Sequence, residues 1–266
     1  PVHSSRRALP QVSRYEAAGA WRPASFDELN ASDDRNLTTV ILVHGNDTDD
    51  AKARAKGLTL YQALTQEGGA PLRLILWSWP ADYIPGTLRQ DARVKAERAE
   101  ADSYYLARFI TALDSAGPLR LLAYSLGARV VTGALHLLGG GSLDGQNIDV
   151  TADRELPPVR VVLMAAAIDD DWLLPGRRHG RALEMVDRMV ALVNPQDRIL
   201  RFYRLLGSGS AALGVRGVAS PASLGPYRRK FEQLNVNPIV GGQHAWSSYA
   251  SSPQILGHLK RELLRE

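Results

Sequence analysis

The sequence predicts an α/β protein with a mostly parallel central sheet and helices on both faces of it. Five short apolar runs are interpreted as strands, at residues 38–43, 72–77, 119–124, 159–165 and 189–193. Segments with helical spacing of apolar residues separate most of these runs, and near-continuous apolar strands alternating with helices are typical of a parallel sheet buried on both faces. With 266 residues, 45% of them hydrophobic, the chain is long enough for one large core.

The amino-terminal part is expected to differ from the rest. Residues 1–36 are polar and rich in arginine, which predicts an irregular extension, and residues 37–266 are expected to form one α/β domain. Helices are predicted at 50–67, 88–116 and 126–138, where apolar residues recur at intervals of three and four. These helices alternate with the first three predicted strands, which supports the parallel arrangement.

The second half of the chain carries fewer regular signals. Residues 139–158 begin with three glycines and are predicted to be a loop, and the short 169–188 interval predicts a small or absent cap. Residues 204–226 are rich in Gly, Ser and Ala without strand or helix periodicity, and such long connections are often functional. A last strand is expected within 233–240 and a closing amphipathic helix at 253–264.

Composition excludes several classes of site and partner. The chain has no cysteine, which excludes disulfides, a cysteine nucleophile and cysteine-ligated metal sites. The net charge of +4 comes from dispersed arginines, with no basic run interleaved with aromatic residues, so no nucleic-acid partner is expected. No apolar run approaches the ~18 residues of a membrane span, so we expect a soluble protein, cytoplasmic or exported after loss of a targeting peptide. No metal or organic cofactor is expected.

A serine lies at the turn between the third predicted strand and the helix that follows it. The local sequence is Ala123-Tyr124-Ser125-Leu126-Gly127. A nucleophilic serine at a sharp strand-to-helix turn needs small residues two positions before and two positions after it, because larger side chains would collide with the adjoining elements. Alanine replaces the commoner glycine at the first of these positions but is still small. The pattern predicts a nucleophile at Ser125, although a tightly packed turn without catalytic role has the same small residues.

The first predicted strand ends in His44-Gly45-Asn46. Acyl transfer requires two main-chain N–H groups directed at the developing oxyanion, one after the nucleophile and one from a loop after an upstream strand. Leu126 and Asn46 are therefore the predicted oxyanion-hole residues. The side chain of His44 is interpreted as a structural group that binds the loop backbone.

These motifs together resemble the α/β-hydrolase superfamily over about residues 38–264. The Val-His-Gly-Asn and Leu-Trp-Ser-Trp-Pro segments and the serine turn are similar to a poorly characterised bacterial branch of it. In this superfamily the nucleophile, the acid and the histidine follow one another in the chain. The resemblance implies an acid at Asp197, in the turn after the fifth strand, and a base at His244. Asp169, Asp170 and Asp171 remain alternatives for the acid, because some members use the position after the fourth strand.

The resemblance implies a serine hydrolase that cleaves carboxylic esters through Ser125, His244 and Asp197 and an acyl-enzyme. Its substrate would be a small-molecule ester or a lipid, with access controlled by residues 79–90 and 204–226 around an open apolar mouth. A catalytically silent scaffold that binds a ligand, and a peptidase or amidase of the same fold, are the alternatives. The sequence leaves the oligomeric state open.

Overall fold

The computed structural model describes residues 10–66, 70–114, 117–148, 159–206 and 209–265. Its eight strands are β1 (Val12–Tyr15), β2 (Trp21–Ala24), β3 (Thr38–Val43), β4 (Leu72–Trp77), β5 (Leu119–Tyr124), β6 (Val159–Met164), β7 (Arg188–Val193) and β8 (Phe231–Asn235). Its eight α-helices are α1 (Phe26–Ala31), α2 (Asp50–Thr65), α3 (Leu88–Ala112), α4 (Gly127–Leu138), α5 (Leu213–Arg216), α6 (Asn237–Val240), α7 (Trp246–Ala250) and α8 (Pro253–Leu264). Three 3₁₀ segments are Ala182–Met185, Leu200–Leu206 and Pro221–Lys230.

Six strands form one parallel sheet in the order β4-β3-β5-β6-β7-β8. The predicted fold class is thereby confirmed. The inner strands are apolar on both faces because helices cover both, and β5 is buried along its whole length. The carboxyl ends of all six strands lie at one edge of the sheet, and β5 ends near the middle of that edge.

The helices pack in two groups around the sheet. Helix α3 packs along α4, and α2 packs with α7 and α8. All twelve residues of α4 are buried, so the helix that follows Ser125 is a central element of the core. No helix in the described part of the chain combines the length and the apolar character needed to cross a bilayer.

The expectation of an irregular amino-terminal extension is wrong for residues 10–36. An antiparallel hairpin of β1 and β2 forms there, with the rings of Tyr15 and Trp21 5.2 Å apart, and α1 follows it. Ser25 and Glu28 form a reciprocal capping box at the start of α1. The apolar content was too low for periodicity to reveal these short elements. Residues 1–9 of this extension lie outside the described residues.

The predicted irregular stretch at 204–226 also differs. It contains the end of one 3₁₀ segment, α5, and the start of another, which are too short to produce a visible period. The last strand begins at Phe231 and ends at Asn235, earlier than expected, because Pro238 lies in the first turn of α6.

Helix α3, which was expected to reach residue 116, ends at Ala112. Of the predicted 139–158 loop, residues 149–158 lie outside the described residues.

Candidate active site

Ser125 lies in a strained turn between β5 and α4. Its φ angle is +53°, a left-handed conformation that non-glycine residues rarely adopt. The Ser125 N–H donates to the carbonyl of Met164 at 2.9 Å, and its carbonyl accepts from the N–H of Ala167 at 3.1 Å. The chain that leaves β6 therefore holds both sides of the turn and fixes the serine at the carboxyl edge of the sheet.

Two glycines let the backbone approach this turn. A Cβ atom on Gly127 would lie 2.5 Å from the carbonyl oxygen of Val43, and one on Gly45 would lie 2.8 Å from the Cβ of Ser125. Both distances are shorter than atoms can approach, so neither position accepts a side chain without movement of the backbone. The small residues of the motif thus have a direct steric reason in this chain.

The structure brings the three predicted side chains together. The Nε2 atom of His244 lies 3.1 Å from the Oγ of Ser125, and its Nδ1 lies 2.8 Å from an Oδ of Asp197. An ionised carboxylate only accepts hydrogen bonds, so Nδ1 carries the proton and Nε2 is free to accept the serine hydroxyl. Asp197 is fully buried, whereas the His244 side chain is 15% exposed.

The carboxylate of Asp197 is oriented by the backbone that follows it. Its Oδ1 atom accepts the N–H groups of Ile199 and Leu200 at 2.9 and 2.8 Å, which leaves Oδ2 for His244. The turn is an Asx-type turn, in which a short carboxylate caps its own chain. This local anchoring holds the carboxylate toward the histidine loop.

Asn194 fastens the histidine loop to the acid turn. Its fully buried side-chain amide donates to the carbonyls of Gly241 and Gln243 at 2.8 and 3.1 Å, just before His244. Its Oδ1 accepts the N–H of Gln196 at 3.2 Å. One side chain therefore sets the separation between the carboxylate and the imidazole.

Tyr124 links the serine turn to the same loop. Its hydroxyl donates to the main-chain carbonyl of His244 at 2.5 Å, and its ring contacts the imidazole with centroids 5.5 Å apart. Burial raises the pKa of the Tyr124 phenol well above its ordinary value, so the hydroxyl keeps its proton and remains a donor. The residue before the serine thus contacts the loop that carries the histidine.

The predicted oxyanion donors lie on either side of the serine. Within the described residues, the main-chain N–H groups of Asn46 and Leu126 make no hydrogen bond to the protein. The carboxylate of Asp91 accepts from the fully buried Lys95 at 3.0 Å and from the N–H of Ile84 at 2.9 Å. The buried ion pair thus anchors the loop after β4 to the first turn of α3.

His44 occupies a structural position, in agreement with its interpretation from the sequence. It is buried, its Nδ1–H donates to the carbonyl of Gly45 at 2.9 Å, and its Nε2 accepts the N–H of Trp79 at 3.3 Å. The Trp79 indole stacks on the imidazole and donates to the His44 carbonyl at 2.8 Å. Burial lowers the pKa of His44 to about 4, so the side chain is neutral near pH 7.

The alternative acids have other partners. Asp169 accepts the hydroxyl of Tyr203 at 2.6 Å, and Asp170 pairs with Arg216 at 3.1 Å. Asp171 lies 3.4 Å from Arg177. Asp197 is the carboxylate at hydrogen-bond distance from His244 among the described residues.

Tyr124, Asn194 and the Asp91–Lys95 pair were missed by the sequence analysis. Tyr124 and Asn194 had a usable signal, because each lies in a motif that was already identified, one before the serine and one at the acid turn. Asp91 and Lys95 had none, since an acid and a lysine four residues apart on a helix usually form an exposed pair. Their role becomes visible only when α3 packs beside the loop after β4.

Ser125 is only 4% exposed, and it does not line the cavity of about 690 Å³ between the β1–β2 hairpin, α2 and β4. No group of three potential metal-ligating side chains is found among the described residues.

Neither a protein-family model nor a curated protein matches the sequence. Several solved structures are distantly similar. They include an uncharacterized protein from Bacillus cereus ATCC 10987 (14% identity, TM-score 0.40, covering 87% of this chain and 61% of that one). Another is esterase B from Lactobacillus rhamnosis, with 13% identity and a TM-score of 0.43, covering 98% of this chain and 89% of that one. A third is carboxyl esterase 2 from the fungus Tuber melanosporum, with 13% identity and a TM-score of 0.41, covering 96% of this chain and 87% of that one. The chain thus spans less than two thirds of the Bacillus cereus protein.

The assignment of the fold rests on the geometry of this chain. A parallel sheet covered by helices, with a serine on a strained strand-to-helix turn at its carboxyl edge, is the arrangement of the α/β-hydrolases. The chain has the α/β-hydrolase fold.

Proposed function

We propose that the protein is a serine hydrolase that cleaves carboxylic esters through an acyl-enzyme. The observation that carries the proposal is the continuous hydrogen-bonded chain from the Ser125 Oγ through His244 to Asp197, with separations of 3.1 and 2.8 Å. A nucleophile, a base within hydrogen-bond distance and a third group that orients the base are the parts that nucleophilic catalysis requires.

In the first half-reaction, Ser125 attacks the ester carbonyl while Nε2 of His244 takes the hydroxyl proton. Asp197 holds the proton on Nδ1 and stabilises the imidazolium. The oxyanion that forms accepts hydrogen bonds from the main-chain N–H groups of Asn46 and Leu126, which have no competing acceptor among the described residues. The amino terminus of α4 adds a favourable dipole at the same point.

Collapse of the tetrahedral intermediate breaks the bond to the alcohol. His244 returns its proton to the leaving oxygen, and the acyl group remains on Ser125. Water then attacks the acyl-enzyme, with His244 again as the base, and releases the carboxylic acid. His244 passes the proton taken from water to the Ser125 Oγ, which restores the free enzyme, so each half-reaction moves one proton through the same imidazole.

Esters are proposed ahead of amides for a chemical reason. An alkoxide is a much better leaving group than the anion of an amine, so ester cleavage depends less than amide cleavage on proton donation by His244. The burial of Ser125, which is 4% exposed, favours substrates whose acyl group is small or whose ester lies at the end of a chain.

Labelling with a fluorophosphonate probe tests the nucleophile. We expect the protein to be labelled and Ser125→Ala to abolish labelling and lower ester turnover by about 10⁴-fold or more. Ser223→Ala, at an exposed position outside the hydrogen-bonded chain of Ser125, His244 and Asp197, is the matched control and should still be labelled. Normal turnover by Ser125→Ala would refute the proposal, and an unlabelled parent chain that binds an ester without cleaving it would favour the silent scaffold.

A substrate panel separates ester from amide cleavage. We expect p-nitrophenyl esters of short acyl chains to be hydrolysed much faster than aminoacyl anilides. The reverse preference would assign the same triad to a peptidase or amidase.

A further inference from the structure

The segment 198–204, which directly follows Asp197, has three different faces. Leu200 and Tyr203 are buried in the core. Ile199 and Phe202 are 61% and 54% exposed, among the most exposed large apolar side chains of the described residues. Arg198, Arg201 and Arg204 are all exposed. The residues from Leu200 onward form a 3₁₀ helix, which repeats every three residues, and Arg198 and Ile199 lie in the turn before it. The three arginines are called the arginine row, and Ile199 with Phe202 the apolar row.

The arginine row has no acidic partner in the part of the chain that the structure describes. Within the described ranges, no ion pair joins Arg198, Arg201 or Arg204 to a carboxylate, whereas Arg216, after the next helix, pairs with Asp170. The guanidinium of Arg201 lies over the ring of Phe202, 4.8 Å from its centroid. Exposed positive charge and exposed apolar surface are thus directly adjacent.

The segment lies at the edge of the sheet that carries the candidate active site. It follows β7, two strands from β5, and neighbouring strands are about 4.8 Å apart. On the other side of β5, also two strands away, the loop after β4 exposes Tyr83 by 61%. Exposed apolar side chains therefore flank Ser125 on both sides along this edge.

We infer that segment 198–204 is a docking surface for anionic lipid, which would bring the carboxyl edge of the sheet against the membrane. Arginines bind lipid phosphates as charge-assisted hydrogen-bond donors, and each basic residue near an anionic surface adds to binding. Ile199 and Phe202 enter the boundary between headgroups and acyl chains, as the apolar face of an interfacial helix does.

Charge complementarity and apolar exposure together select lipid as the partner. A nucleic-acid backbone would neutralise the arginines but leave Ile199 in water, and an acidic peptide supplies carboxylates without a continuous apolar layer. A lipid surface supplies phosphates for the arginines and, next to them, an apolar layer for Ile199 and Phe202. The inference concerns binding and stands independently of the proposed hydrolysis.

Co-sedimentation with vesicles tests it, with Ser125→Ala as the parent so that no lipid is consumed. The probes are vesicles of phosphatidylcholine alone and of phosphatidylcholine with phosphatidylglycerol, at about 0.05 M and about 0.5 M NaCl. We expect binding to the anionic vesicles only, weakened by the higher salt. Arg201→Gln/Arg204→Gln and Phe202→Ser should each weaken it about tenfold.

The control variants remove positive charge or an exposed aromatic ring at positions outside segment 198–204. Arg35→Gln/Arg229→Gln removes the same charge at the amino edge of the sheet, and Tyr61→Ser removes an exposed ring from α2. Both should bind vesicles as the parent does, and circular dichroism checks that every variant is folded.

Three results would overturn the inference: no binding to anionic vesicles at low salt, equal loss in the control variants, and binding to polyglutamate or duplex DNA in place of vesicles. In the Ser125-containing chain, the docking variants should still cleave a water-soluble ester at the parent rate. Failure of docking is thereby distinguished from failure of the proposed activity.

Discussion

The serine side and the histidine side of the candidate site are held in place by different means. Ser125 is fixed by backbone sterics: two inner strands, a buried helix and two glycines leave one conformation for the turn. His244 and Asp197 lie on loops after β8 and β7, and side-chain hydrogen bonds from Asn194 and Tyr124 hold them. A substitution on the serine side therefore either leaves the turn intact or disrupts it as a whole. On the histidine side, the removal of a single hydrogen-bonding atom is enough to change the position of the imidazole.

The largest effects are expected from the histidine side when its chemical groups are removed. His244→Ala should lower kcat for an ester by about 10⁴-fold or more, because no other base lies beside Ser125 among the described residues. Asp197→Asn should be somewhat milder, since the histidine remains in place with the wrong tautomer. Asp170→Asn is the matched control, and steady-state kinetics measure all three. Greater loss in Asp170→Asn than in Asp197→Asn would reassign the acid.

The next largest effect is expected on the stability of the protein when a side chain is added to the tightly packed serine turn. Gly127→Ala places a methyl group 2.5 Å from the Val43 carbonyl, so we expect a loss of about 2–3 kcal/mol in the free energy of unfolding. Gly257→Ala, in α8, is the control, because its Cβ meets nothing within 4 Å and should stabilise the helix slightly. Urea unfolding measures both. Equal stability of the two variants would show that the turn is more plastic than its contacts indicate.

A smaller effect is expected from one oxygen atom on the histidine side. Tyr124→Phe removes the donor to the His244 carbonyl but keeps the ring, so kcat should fall about tenfold with KM nearly unchanged. Tyr105→Phe, at an exposed position on α3, should leave both constants unchanged. A larger change in KM than in kcat would mean that Tyr124 acts on substrate binding and not on the position of the histidine.

The smallest effect concerns the pH dependence of stability. Burial lowers the pKa of His44 to about 4 and that of His179 well below its ordinary 6.5, so the unfolded chain binds more protons below pH 6.5. Stability should therefore be greatest above pH 6.5 and fall as the pH decreases toward 4. Burial raises the pKa of Asp102 to about 6, which opposes this fall between pH 6 and 4.

Variants of the histidines separate these contributions. His179→Gln should flatten the dependence measured by thermal unfolding between pH 7 and pH 5, and His258→Gln, at a half-buried position of α8, is the matched control. A steeper dependence in His179→Gln would contradict the assignment of a neutral buried imidazole.

Much of the serine side was determined by the sequence alone. Strands β3 to β7 are read from apolar runs, and the small residues around Ser125 express a local steric requirement. Both signals are short-range, because strand burial and a strand-to-helix turn depend on neighbouring residues. The order of Ser125, Asp197 and His244 then allowed a prediction of the triad, and the structure places these side chains at hydrogen-bond distance.

Only the tertiary structure decided which groups hold the site together and how the surface around it is composed. Asp169, Asp170 and Asp171 could not be separated from Asp197 until Tyr203, Arg216 and Arg177 were seen beside them. The rows of segment 198–204 likewise become visible only when packing buries Leu200 and Tyr203. The physical reason is that partner choice and exposure depend on residues far apart in the chain, which periodicity within a short window does not report.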